Sequence, residues 1–137
     1  MIKEIVKDAF FLSQKSKDAE KEDQQVIEDL LDTIKAHANH CVGMAANMIG
    51  VQKRIIVIYD EKGYLPMVNP MIIKHSKETY DTKEGCLCHE GEKPTKRYEK
   101  IKVRYLDQNF KIKIRTFTGF QAQIIQHEMD HCEGILI

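Results

Sequence analysis

Neither sign of charge is in excess in this chain: 21 Lys and Arg face 21 Asp and Glu, a formal net charge of +0 over 137 residues. Long-range attraction to nucleic acid or to anionic lipid therefore has no global source, and neither DNA nor a membrane is an expected partner. Long apolar runs are missing too. None approaches the roughly 20 residues that cross a bilayer, and the start MIKEIVKDAF lacks the apolar stretch and small-residue cleavage site of a secretory signal, so the expected location is the cytoplasm. Cysteine is sparse and unevenly spread, at Cys41, Cys86, Cys88 and Cys132. That excludes a disulfide framework in a reducing compartment and points to thiol or ligand roles. No repeat, low-complexity tract or linker divides the chain, and its length suits one domain, residues 1–137, with one site.

Hydrophobic spacing organises what is there. Val26, Ile27, Leu30, Leu31, Ile34 and Ala38 recur at three- and four-residue steps and predict a long amphipathic helix over 22–39, entered from the polar loop SQKSKDAEKEDQQ. RIIVIYD reads as a buried strand. LPMVNPMIIKHS carries two prolines, which predict a strand that is interrupted or lies at an edge. KIKVRYLD and FKIKIRTF alternate apolar and basic residues on either side of Asp107-Gln108-Asn109, a β-hairpin with one wet face. The basic positions Lys93, Lys96, Arg97, Lys100, Lys102 and Arg104 read as a solvated strand face. A last helix, capped by Thr116 or Thr118 and ended by Gly134, carries the stripe Phe120, Ile124, Ile125 and Met129.

On that helix, HEMDH at 127–131 matches H-E-x-x-H. A helix sets the two imidazoles one turn apart on one side, where they can chelate a divalent metal, and Glu128 beside them can take a proton from a water. Five residues alone weigh equally for a solvated helix with two histidines. The apolar stripe and the preceding hairpin favour the metal. A catalytic metal of this kind wants three protein ligands and an open position. Zinc peptidases with this pentapeptide take the third from farther downstream, yet only Cys132 to Ile137 follow, so the ligand must come from upstream. EGCLCHEG at 84–91 offers Cys86, with Cys88 and His89 as rivals on chemistry alone, and a small buried hydrophobe is the ordinary reading of any one cysteine.

Three motifs in order resemble those of the peptide deformylases: CVGMAANMIG at 41–50 is similar to G-x-G-L-A-A-x-Q, EGCLC at 84–88 to E-G-C-L-S, and QHEMDH at 126–131 to Q-H-E-x-D-H. Asn69-Pro70 and EGILI at 133–137 sit where that family has similar sequence. The resemblance implies an α+β fold in which antiparallel sheets wrap a C-terminal helix bearing HExxH. It implies Cys86, His127 and His131 as metal ligands, ferrous iron as the ion, with zinc or nickel able to replace it, and Glu128 as the proton carrier. The implied reaction removes the formyl group from the N-terminal methionine of a nascent peptide, met transiently at the ribosome. Catalytic donors would be the Leu87 N–H and the side chain at position 48, with Gly43, Met44, Glu84 and Gly85 toward the substrate.

The chain departs from that pattern at four places. Met48 replaces a glutamine whose amide would help hold the oxyanion, and a thioether donates no hydrogen bond. Cys41 stands for a glycine and Cys88 for a serine, and HEGEKPTKR is shortened and lacks an Ile-Pro pair. A slowed deformylase is the leading reading. The alternative is a non-catalytic relative that binds metal or peptide. Met44, Ile124 and Ile125 are equally explained as core, and His37, His40 and His75 as surface histidines.

Overall fold

The structure, a computed structural model, describes residues 1–137. Its N-terminal part holds short helical pieces where one long helix was expected. Ala9–Leu12 (α1) is a single turn whose cap, Asp8, accepts from the Phe10 N–H at 3.0 Å. Lys21–Asp23 forms a 3-10 turn in which the side chains of Glu20 and Asp23 reciprocally accept backbone N–H groups. The helix proper, Gln24–Ala36 (α2), buries Ile27, Leu30, Thr33 and Ile34. It is shorter than the apolar spacing implied because its end tightens: the N–H groups of His37 and Ala38 bond the carbonyls of Ile34 and Lys35, three residues back.

The strands are Gly43–Ala45 (β1), Ile55–Asp60 (β2), Gly63–His75 (β3), Thr79–Gly85 (β4), Glu92–Tyr98 (β5), Lys100–Leu106 (β6) and Ile112–Thr118 (β7). A five-stranded antiparallel sheet runs β1-β2-β3-β6-β7, and β4 and β5 form a separate two-stranded hairpin. The expected hairpin is β6–β7, pairing Lys100 with Thr118 through to Leu106 with Ile112. Its turn is held by Asp107, whose carboxylate accepts from the N–H groups of Asn109 and Lys111. Ile101, Val103 and Tyr105 are buried while Lys100, Lys102 and Arg104 are exposed, as the alternation required.

For LPMVNPMIIKHS the edge position is corrected, while the expected interruption takes the form of a break in register. β3 is a thirteen-residue strand at the centre of the sheet. Its prolines are accommodated where they remove no shared bond: Pro66 lies before β6 joins, and Pro70 sits in a register jump between Val68 and Met71. Asn69 turns the chain there in the left-handed region, at φ 50°, and its amide clamps the Ala19 backbone, accepting from its N–H at 2.7 Å and donating to its carbonyl at 3.1 Å. A second correction concerns Arg97, which was placed on a solvated face and is buried at 5% exposure.

The last helix, Gly119–Cys132 (α3), packs on β1 and β2. Thr118 occupies its N-cap position without a side-chain capping bond. Gly134, at φ 78°, ends it where a Cβ would collide with the Ser13 carbonyl. The helix buries Ile125, His127, Glu128 and His131, so its histidine face turns into the molecule instead of outward. No helix is long and apolar enough to cross a membrane.

Asn69 performs two tasks that substitution separates. Asn69→Gly keeps the positive φ and loses the clamp. Asn69→Ala loses both, and is expected to be the less stable of the two in urea unfolding by about 1 kcal/mol, the strain of a left-handed residue with a Cβ. Equal midpoints would show that the clamp alone matters.

Candidate metal centre

Three elements converge on the HEMDH face of α3. The loop of residues 86–91 between β4 and β5 brings Cys86, α3 brings His127 and His131 one turn apart, and β1 lies across them with Gly43. Cys86 Sγ is 3.3 Å from His131 Nε2, which is 3.2 Å from His127 Nε2. Around a tetrahedral ion with Zn–S ≈ 2.3 Å and Zn–N ≈ 2.05 Å, sulfur and nitrogen lie about 3.6 Å apart and two nitrogens about 3.3 Å apart. These two spacings suit neighbouring ligands of one divalent ion. His131 is fully buried, and its Nδ1 has no hydrogen-bond partner in the protein.

His127 is oriented by Glu84, whose Oε1 lies 2.8 Å from His127 Nδ1. That contact turns Nε2 toward His131. The same carboxylate accepts from Arg97 Nη2 at 2.7 Å and Nε at 3.0 Å and from Gln123 Nε2 at 3.0 Å, while Arg97 Nη1 donates to Asp130 at 2.7 Å. Burial alone would raise the Glu84 carboxyl, but the bonds from His127 and Arg97 prevail and hold it down at about 2. Burial likewise opposes charge on His127, and the Cys86 and Glu84 contacts outweigh it, holding the imidazole up at about 10. The Cys88 thiol beside it, and then burial, push Cys86 up to about 11, a pressure that a bound cation inverts.

Glu128 is the opposite case. It is buried, its Oε1 has no partner, and burial pushes it up to about 7. Gly43 faces it closely: a Cβ there would lie 2.8 Å from Glu128 Oε2 and 2.6 Å from Ile124 Cγ2. Both border a cavity of ≈ 590 Å³, together with Glu84, Gly85, Cys86, Leu87, Ile124 and His127.

The expected residues do not all gather there. Met44 and Met48 are fully buried in the core and do not line the cavity, and Ile125 is core as well. Glu84 borders the cavity, but its carboxylate is taken up by His127, Arg97 and Gln123. Cys88, one of the rival ligands, lies with its Sγ 3.2 Å from Cys86 Sγ, and Cys86, Cys88 and His131 have ligand atoms all within 4.8 Å of one another. His89 Nε2 is buried without a partner and is not in that trio. Sequence reading overlooked Arg97, Gln123 and Asp130, and left His40 on the surface although it lines the cavity. A signal existed for Arg97: it falls out of step with the even-numbered run Lys96, Lys100, Lys102 and Arg104.

Removing Arg97 strands a buried carboxylate. Arg97→Met is expected to cost about 3–5 kcal/mol in chemical unfolding. It should also weaken metal retention against a chelator by roughly 10–100-fold, because Glu84 then no longer holds His127. Unchanged retention would separate the ion pair from the centre.

The model of the family described as polypeptide deformylase matches residues 2–137. A peptide deformylase of Clostridium beijerinckii is 58% identical over 137 residues, covering 100% of both chains, and peptide deformylase 1 of Clostridium perfringens is 41% identical over 114 residues, covering 81% of this chain and 76% of its own. Among solved structures, a class I type b peptide deformylase from Acinetobacter baumannii superposes with a TM-score of 0.89 at 30% identity, over 99% of this chain and 97% of that one. The enzyme from Thermotoga maritima does so with 0.89 at 27%, over 99% and 95%. The antiparallel sheets, the C-terminal helix and the full-length match agree, and the chain belongs to the peptide deformylase family.

Proposed function

We propose that this chain, acting as one domain over residues 1–137, hydrolyses the formyl amide of formyl-methionyl peptides and releases formate, with Cys86, His127 and His131 holding a divalent ion and Glu128 moving the proton. The observation that carries this reading is one thiol and two imidazoles at 3.3 and 3.2 Å spacing beside a buried carboxyl with an unpartnered oxygen. Ferrous iron is the ion proposed, with zinc or nickel able to replace it. When bound, such an ion acidifies a water and polarises the formyl carbonyl.

The remaining work falls to the protein. Glu128, lifted to about 7, exchanges a proton near neutral pH, so it takes one from the attacking water and returns it to the leaving amine. Cavity and carboxyl are juxtaposed because Gly43 has no side chain to separate them. The Leu87 N–H bonds no other protein group and borders the cavity, which suits it to the developing oxyanion. Ile124 supplies apolar wall for a methionine side chain. Met48 supplies no donor and lies in the core away from the cavity, which leaves the Leu87 N–H as the protein's oxyanion donor.

Formate release from formyl-Met-Ala is expected after anaerobic reconstitution with ferrous iron, and is expected to vanish in Glu128→Ala at unchanged metal content. Tight peptide binding with no formate would instead favour the non-catalytic reading. Met48→Gln, which places an amide in the core and not on the cavity, is expected to leave turnover and metal content unchanged. A gain in turnover would show that the missing amide limits the reaction. Gly43→Ala, by pressing on Glu128 and Ile124, is expected to lower kcat by tenfold or more while the ion is retained, measured by steady-state kinetics with metal analysis.

A further inference from the structure

Cys88 has no part in the mechanism above, yet it is 3% exposed and its thiol is directed at the ligand thiol of Cys86, 3.2 Å away. Its Sγ, Cys86 Sγ and a His131 ring nitrogen all lie within 4.8 Å of one another. In a tetrahedral zinc site two sulfurs lie about 3.8 Å apart, two nitrogens about 3.3 Å and a mixed pair about 3.6 Å. The spacings of 3.2 Å for the sulfurs, 3.2 Å for the nitrogens and 3.3 Å for Cys86 with His131 are all slightly short of those edges. The compact trio is Cys86, Cys88 and His131, and His127 joins it through its 3.2 Å contact with His131.

We propose that Cys88 is a fourth protein ligand, so that the resting centre holds its ion with two thiolates and two imidazoles. This rests on the reading that Cys86, His127 and His131 bind the ion. Two thiolates neutralise a divalent charge that one leaves half unbalanced, and soft sulfur pairs favour zinc over harder-ligand metals. A closed four-ligand set leaves no place for solvent. For the hydrolysis proposed above, Cys88 Sγ would have to leave the ion before water could enter, so this thiol would set the occupancy of the open position and bias which metal the chain retains.

Zinc-edge X-ray absorption of the full chain loaded with one zinc reads the donor set without any substitution. Two sulfur neighbours per zinc are expected, falling to one in Cys88→Ser. Cobalt(II) titration provides a second reading: the thiolate-to-cobalt charge-transfer band per bound ion is expected to drop by about half in Cys88→Ser while binding stays stoichiometric. One sulfur per zinc in the unaltered chain, lost in Cys86→Ser, overturns the role of Cys88 and leaves the three-ligand centre standing. Zinc with no sulfur neighbour, or no stoichiometric binding, overturns both. Should Cys88→Ser fail to fold, the sulfur count of the unaltered chain still decides.

Discussion

The carboxylate of Glu84 receives four donors, two from Arg97 and one each from Gln123 and His127, which fill its lone-pair sites. Those donors come from β5 and α3, while Glu84 itself stands near the end of β4, one residue before the strand gives way to the loop carrying Cys86 and Cys88. One buried anion thus ties the hairpin to the helix. It sets how far the thiol loop stands from the histidines and which imidazole nitrogen is free. A buried charge so fully satisfied resists rearrangement, because freeing any one donor leaves charge uncompensated in a dry interior.

Two buried carboxyls lie close together and behave in opposite ways. Glu84 is saturated with donors and held at about 2, whereas Glu128 keeps an unpartnered oxygen and is lifted to about 7. Side-chain chemistry is the same, and partner count decides the role. The ionised group orients the His127 ring, and the group poised near neutrality is suited to the proton exchange proposed for it. Gly43 then brings the exchanging group against the cavity by adding nothing between them.

Two of the four departures from the family pattern have contrasting surroundings. Met48 lies in a core of apolar side chains, where a thioether is comfortable and costs nothing in stability. Cys88 lies against the Cys86 thiol, 3.2 Å away. The first is absorbed by the core, and the second stands where the proposed ion would meet it.

Much of this was legible in the residues. HEMDH on a helix, the β6–β7 hairpin, the free thiols and the resemblance to deformylases rest on local periodicity and on short motifs whose spacing is a property of the chain alone. The ends of α2, the central place of β3 and the burial of Arg97 were not. A helix stops where its last carbonyls find other partners, a proline is tolerated where a neighbouring strand has not yet joined, and an arginine is buried only if distant carboxylates meet it. The sequence by itself therefore determined which groups could bind metal and carry a proton. Only the tertiary structure decided that Glu84 is filled, that Glu128 is starved of partners and that Cys86 meets His131, because those outcomes depend on residues up to 45 positions apart being brought within bonding distance.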